Sequence, residues 1–207
     1  MSTAAQSTEG VTRIRAQKKE LRDTMLFVRD ALPEDFRKAA SAAVCEAFLS
    51  SVPYHFASNI LLYAPHGSET DVFSLFEKAV CDGKAVYFPK CEGRGVMRFF
   101  RVRSREDLTA GKFGILSPRT DAEEYLPEGG KPSDVCVVPG VCFDLDGYRI
   151  GSGGGYYDRF LARFAGVRVS LTFDALLIKD ACVPREKRYD KRVDVLYTER
   201  EVKVVGI

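Results

Sequence analysis

Apolar positions set the first elements. Across residues 11–30, Ile14, Leu21, Met25 and Val28 recur at helical spacing, and Pro33 breaks the run. Residues 35–49 repeat the pattern through Phe36, Ala39, Ala40, Val44 and Phe48, which predicts a second helix with one inner face. The apolar run at 59–64 predicts a short buried strand, and 71–82 a helix ended by Asp82-Gly83. Further strands are predicted at 84–88, 97–102, 134–138, 167–173, 193–197 and 202–207, with a helix at 156–164. Residues 111–131 carry Pro118, Pro127 and Gly129-Gly130 and read as a long loop.

Short continuous apolar strands separated by helices indicate a mostly parallel sheet covered on both faces. The 207 residues suit one α/β domain, 1–207, with the small polar residues 1–10 expected as a disordered tail. No apolar run reaches the 18 or so residues of a membrane span, and no apolar signal segment opens the chain, so a cytoplasmic protein without membrane contact is expected. Lys and Arg total 31 against 29 for Asp and Glu, a balance that disfavours a nucleic-acid-coating protein. The six cysteines form no C-x-x-C pair and only two histidines accompany them, so zinc is not expected. Most of these thiols read as small core residues.

The most informative stretch, 139–160, reads PGVCFDLDGYRIGSGGGYYDRF and follows the most apolar strand. In open parallel sheets, ligands bind at that carboxyl edge. Gly151, Gly153, Gly154 and Gly155 let backbone N–H groups converge on an anion, the following helix adds partial positive charge, and Arg149 offers a forked guanidinium. On composition alone the same glycines fit a surface loop equally well. The Walker and Rossmann patterns are both absent: no Gly-Lys-Ser/Thr triplet occurs, and position 156 is Tyr. Asp158 lies in the first turn of the helix. A carboxylate beside phosphates needs an intervening cation, and Mg²⁺ suits that position.

This segment closely resembles the signature of the 5-formyltetrahydrofolate cyclo-ligase family, above all in Gly153-Gly154-Gly155-Tyr156-Tyr157-Asp158. The resemblance runs in order from Lys18 to Tyr197. Lys18-Lys19-Glu20-Leu21-Arg22 is similar to the family's ATP-contacting K-x-x-L-R element, and Glu69 falls at its folate-contacting position. Phe113-Gly114-Ile115 with Pro118, and Val183-Pro184 followed by Tyr189-Asp190 and Val193-Asp194, resemble later family elements. Ser117, Tyr189, Leu176 and Val72 depart from the residues common in the family.

The resemblance implies a three-layer α/β sandwich, similar to sugar-phosphate isomerases and CoA transferases. It implies an enzyme that closes 5-formyltetrahydrofolate to 5,10-methenyltetrahydrofolate with ATP and Mg²⁺, through a phosphorylated formyl intermediate. ATP would be held by Lys18, Lys19, Arg22, Arg149, Gly151, Ser152, Gly153, Gly154, Gly155, Tyr156 and Tyr157. Ala64, Glu69 and residues 152–156 would contact the folate, and Asp158 and Asp190 the metal. Arg149, Tyr156 and Asp158 would act at the reacting centre, in a monomer. Two rivals are a sugar-phosphate isomerase or CoA-transferase-like enzyme, and a nucleic-acid-binding module. The module would use Arg98, Arg101, Arg103 and Arg105 with the basic residues of 185–192. Those same arginines are candidates for holding a polyglutamate tail on the folate.

Overall fold

The structure, a computed structural model, describes residues 3–93, 95–111 and 114–205. Helices α1 (Thr3–Ala31), α2 (Glu34–Leu49) and α3 (Val52–Phe56) precede strand β1 (Asn59–Leu61), helix α4 (Phe73–Cys81), and strands β2 (Ala85–Gly93) and β3 (Val96–Arg101). Short strands β4 (Leu108–Ala110), β5 (Leu116–Pro118) and β6 (Glu124–Tyr125) lead to β7 (Val135–Val137). A hairpin of β8 (Cys142–Asp144) and β9 (Arg149–Ile150) feeds α5 (Tyr156–Leu161). The chain ends through β10 (Val167–Leu171), β11 (Leu177–Ile178), β12 (Val195–Tyr197) and β13 (Val202–Val204).

The main sheet has the order β13-β12-β10-β7-β1-β2-β3-β6. Its centre, β12 to β2, is parallel, and antiparallel strands close both edges. Period-two alternation decides which side chain meets which layer. Ile60, Leu62, Val135, Val137, Val169 and Leu171 face one core with Phe48, Leu75 and Phe76 of α2 and α4. Leu61, Cys136, Val138 and Leu196 face the other core with Phe160, Leu161 and Phe164. The expected sandwich, a mostly parallel sheet between two helical layers, is therefore present. A third cluster joins Met25 of α1 to Val141, Cys142, Ile150, Phe173 and Val183, and so seats α1 against the β8–β9 hairpin.

Three expectations change. The tail expected at 1–10 is helical from Thr3 onward, with Met1 and Ser2 outside the described residues. Ala4, Ala5 and Gln6 are strong helix formers, and extending an existing helix avoids the cost of nucleation. The loop expected at 111–131 contains β5, β6 and a 3₁₀ turn at Pro127–Gly129, and β6 pairs with β3 at the sheet edge. Strands of two or three residues are too short to display an alternation. Of the six cysteines, all free, Cys45, Cys136 and Cys142 are core residues, while Cys81, Cys91 and Cys182 are exposed. Burial pushes the Cys45 thiol up to about 11 and those of Cys136 and Cys142 up to about 12, which leaves them protonated and inert. Two departures from the family, Val72 and Leu176, are fully buried core positions.

At the amino edge of the sheet, the buried Asp134 carboxylate accepts from Asn59 Nδ2 at 3.0 Å, Tyr125 Oη at 2.9 Å and the Lys131 N–H at 2.9 Å. It ties β1, β6 and the entry to β7 together, at the end of β7 away from the glycine segment. Asp134→Ala removes the shared acceptor of these three donors, one of which, Tyr125 Oη, is buried. Its urea midpoint should fall by the equivalent of about 1–3 kcal/mol, and ligand affinities should stay unchanged in the fraction that folds.

Candidate active site

The glycine segment hangs from a hairpin fixed by a buried carboxylate. Asp144 Oδ1 accepts from the N–H groups of Asp146 (3.1 Å) and Tyr148 (2.9 Å), closing the turn between β8 and β9. Its Oδ2 accepts from the Val183 N–H at 3.0 Å and from Arg185 Nη1 at 3.4 Å. One side chain thus joins the hairpin to the distant stretch that leads to Asp190. Residues 151–155 then cross to α5 with Gly153 at φ +93° and Gly155 at φ +64°, a backbone region that glycine enters without steric cost. Among the described residues, no acceptor engages the backbone N–H groups of 152–155. Arg22 of α1 lies against this segment, donating from Nε to the Gly151 carbonyl at 2.6 Å. A Cβ on Gly153 would stand 3.5 Å from its guanidinium.

Asp158 and Asp190 are brought to the same region from opposite directions. Arg149, nearly buried, donates from Nη2 to Asp158 Oδ1 at 3.1 Å and from Nη1 to the Lys191 carbonyl at 2.7 Å. The Lys191 N–H donates to the same Asp158 oxygen at 3.0 Å. Asp190 Oδ2 accepts from Lys18 Nζ at 2.5 Å and from the Glu186 N–H at 2.6 Å. Each carboxylate is therefore held through one oxygen. Among the described residues, Asp158 Oδ2 and Asp190 Oδ1 have no hydrogen-bond donor. Two oriented carboxylates with a free oxygen each, beside free backbone N–H groups, fit a hard cation shared with phosphate oxygens.

The other half of the site lies at the end of the neighbouring strand β1. Tyr63 and Ala64 are buried there, with Tyr63 Oη donating to the Thr70 carbonyl at 2.9 Å. Glu69 Oε2 accepts from the His66 N–H at 3.0 Å. Burial raises the Glu69 carboxyl above the usual carboxylate range, opposed by that hydrogen bond and by the charge of Arg29. Glu69 opens into a cleft of about 490 Å³ that Arg37, Ser41, Gly67 and Asp71 also line. Tyr157 Oη is buried without a partner among the described residues, and its ring meets Phe99 edge-on at 6.3 Å. Burial drives this phenol far above its ordinary range, and the charges of Cys136 and Glu69 add to the effect.

Lys18, Arg22, Arg149, the glycine segment, Asp158 and Asp190 thus converge. Lys19 does not: it points outward and pairs with Asp23 at 3.6 Å, one helical turn on. Nor is Lys18 a cation waiting for an anion, because Asp190 neutralises it. Tyr156 begins α5 with its ring near the Arg159 guanidinium, 5.8 Å from centroid to carbon. Phe113 lies outside the described residues. The arginines read as a polyanion surface are largely matched by acids: Arg98 by Glu92 and Glu124, Arg101 by Glu123, and Arg105 by Glu77. Asp144, Asp146 and Cys182 gather closely enough to bind a metal ion, but Arg185 already pairs with both carboxylates. Arg29 escaped the sequence reading. Its signal was the α1 face itself, since it lies seven residues beyond Arg22 and eleven beyond Lys18.

The sequence model of the 5-formyltetrahydrofolate cyclo-ligase family matches residues 14–199. The mitochondrial 5-formyltetrahydrofolate cyclo-ligase of Arabidopsis thaliana is 27% identical over 222 residues, covering 96% of this chain and 79% of that protein. The solved structure of Aquifex aeolicus 5,10-methenyltetrahydrofolate synthetase superposes with a TM-score of 0.79 at 35% identity, covering 92% of this chain and 93% of that one. A Mycoplasma pneumoniae 5,10-methenyltetrahydrofolate synthetase shares the fold, with a TM-score of 0.67 at 22% identity over 88% of this chain and 98% of that one. With its family model spanning nearly the whole chain and its glycine segment facing two oriented aspartates, this protein belongs to the 5-formyltetrahydrofolate cyclo-ligase family.

Proposed function

We propose that this protein catalyses the ATP-dependent cyclisation of 5-formyltetrahydrofolate to 5,10-methenyltetrahydrofolate, releasing ADP and phosphate. The observation that carries this reading is the meeting of free glycine-segment N–H groups, two α1 cations and two half-engaged aspartates at one sheet edge, next to a buried glutamate. In the reaction, the formyl oxygen on N5 attacks the γ-phosphorus and ADP departs. N10 then attacks the formyl carbon, loses its proton, and phosphate leaves as the ring closes. Phosphorylation turns a poor leaving group into a good one, so the protein's task is positioning and charge neutralisation.

Lys18, Arg22 and the N–H groups of 151–157 would hold the triphosphate, with Lys18 exchanging Asp190 for a phosphate oxygen. Mg²⁺ bound by Asp158 and Asp190 would supply charge neutralisation for the β- and γ-phosphates. Arg149 keeps Asp158 aimed while its own nitrogens stay occupied. Glu69, Ala64 and Tyr156 would line the folate side. A polyglutamate tail, if carried, would meet the 185–192 segment rather than the acid-matched arginines of β3. The cytoplasmic assignment and the monomeric state belong to the same reading. Among the described residues, no helix is long and apolar enough to cross a membrane.

The decisive assay mixes the protein with 5-formyltetrahydrofolate, ATP and Mg²⁺ and follows the methenyl absorbance. Product should form only with all three present, and no ATP-dependent product would end this reading. Asp158→Asn and Asp190→Asn should each lower kcat on the order of 100-fold, the scale of losing one preorganised charge contact, with thermal midpoints measured in parallel. Normal turnover of both variants at limiting Mg²⁺ would remove the metal assignment.

A pH dependence follows from Glu69, whose carboxyl is raised in the folded protein. As pH falls through that raised value, the acceptor for pterin N–H donors protonates. The KM for folate should therefore climb at a pH above the ordinary glutamate range, while the KM for ATP stays flat. Glu69→Gln should weaken folate binding at neutral pH and abolish this acid limb.

A further inference from the structure

Arg29 carries a buried nitrogen that has no hydrogen-bond partner among the described residues. Its Nε donates to Ser68 Oγ at 2.9 Å, and Ser68 donates onward to Asp30. Its Nη1 is buried without a hydrogen-bond partner among the described residues and stands 3.9 Å from Glu69 Oε1. That gap is too long for a hydrogen bond. The side chain is only 9% exposed, so the orphaned N–H is a real cost in the free protein. Glu69 mirrors it: Oε2 is held by the His66 N–H, and no donor among the described residues reaches Oε1. A free donor and a free acceptor thus lie side by side, each fixed from behind.

Their complement is a ligand edge with an N–H next to a C=O. A 2-amino-4-oxo pteridine has that edge, with N3–H beside the C4 carbonyl and the 2-amino group on the far side of N3. We infer that Arg29 reads the pterin: its Nη1 donates to the C4 oxygen while Glu69 accepts from N3–H and the 2-amino group. This rests on the cyclo-ligase reading, which makes folate the ligand beside Glu69. The pair then fixes the pteridine in its plane, and with it the direction in which N5 presents its formyl group. It also sets specificity. A 4-amino pteridine turns a donor toward the Arg29 donor and loses the N3 proton that Glu69 accepts, and buried mispaired polar groups discriminate strongly.

Calorimetric binding of 5-formyltetrahydrofolate and of its 2,4-diamino counterpart tests this in the wild type and in Arg29→Lys. Lysine keeps the positive charge but lacks the fork that serves Ser68 and the ligand together. The wild type should prefer the 4-oxo ligand by roughly 100-fold, and Arg29→Lys should shrink that preference roughly tenfold or more, with ATP affinity unchanged. A preference unchanged in Arg29→Lys, or both pteridines weakened equally, would overturn the inference and leave Arg29 a structural partner of Glu69. The wild-type comparison needs no variant, and equal affinity for the two pteridines there would also overturn it. If the wild type bound ATP but neither pteridine, the cyclo-ligase reading itself would fail, and this inference with it.

Discussion

The site depends on the Asp144 carboxylate. It is 1% exposed and collects three backbone N–H groups and one guanidinium, so both oxygens are spent on holding chain segments. Without it the β8–β9 turn would have to satisfy its amides elsewhere, and residues 183–185 would lose their anchor. Asp158 descends from that hairpin, and Asp190 from that anchored segment. Charge-assisted bonds of this kind are shorter and stronger than neutral ones, and they fix direction as well as distance. Two carboxylates brought together from residues 32 positions apart need such a common reference.

The free protein balances the charges it would later offer to substrates. Lys18 covers Asp190, and Arg149 covers Asp158, at side chains that are 27% exposed or less. Two uncompensated carboxylates so close to one another would repel. The ion pairs relieve this, at the cost of an exchange on binding in the proposed reaction. In the proposed reaction Lys18 would trade a carboxylate for a phosphate, whereas Arg149 would keep its partners throughout. The two cations therefore serve different purposes although both lie beside the glycine segment.

Much of this was legible in the sequence. The central strands announced themselves as apolar runs because both of their faces are buried, and the run at 59–64 and the strand before Pro139 turned out to be neighbours. The glycine segment was visible through its family signature, Gly153-Gly154-Gly155-Tyr156-Tyr157-Asp158, because its composition alone also fits a surface loop. The short strands β4, β5, β6, β8, β9 and β11 were not visible: two or three residues carry no period, and their pairing is decided by distant partners. Lys19 was carried in by its neighbours Lys18 and Arg22, yet one residue along a helix turns a side chain by about 100°. Arg29 stayed hidden because a basic residue in a helix reads as solvated. Only the loop after β1, folding over α1, turns it into a buried group.

Helix α1 presents Lys18, Arg22 and Arg29 along nearly one line, since eleven residues complete just over three whole turns. At 1.5 Å per residue, the first and last stand about 16 Å apart along the axis. One end of that line touches Asp190, on the proposed nucleotide side, and the other lies beside Glu69, on the proposed folate side. The helix is thus a ruler. In the proposed reaction it would fix, without any moving part, the separation at which two different molecules are gripped, and so whether a formyl oxygen and a phosphorus could meet. A single residue inserted between Arg22 and Arg29 would leave every side chain present and turn the two ends of this line out of alignment.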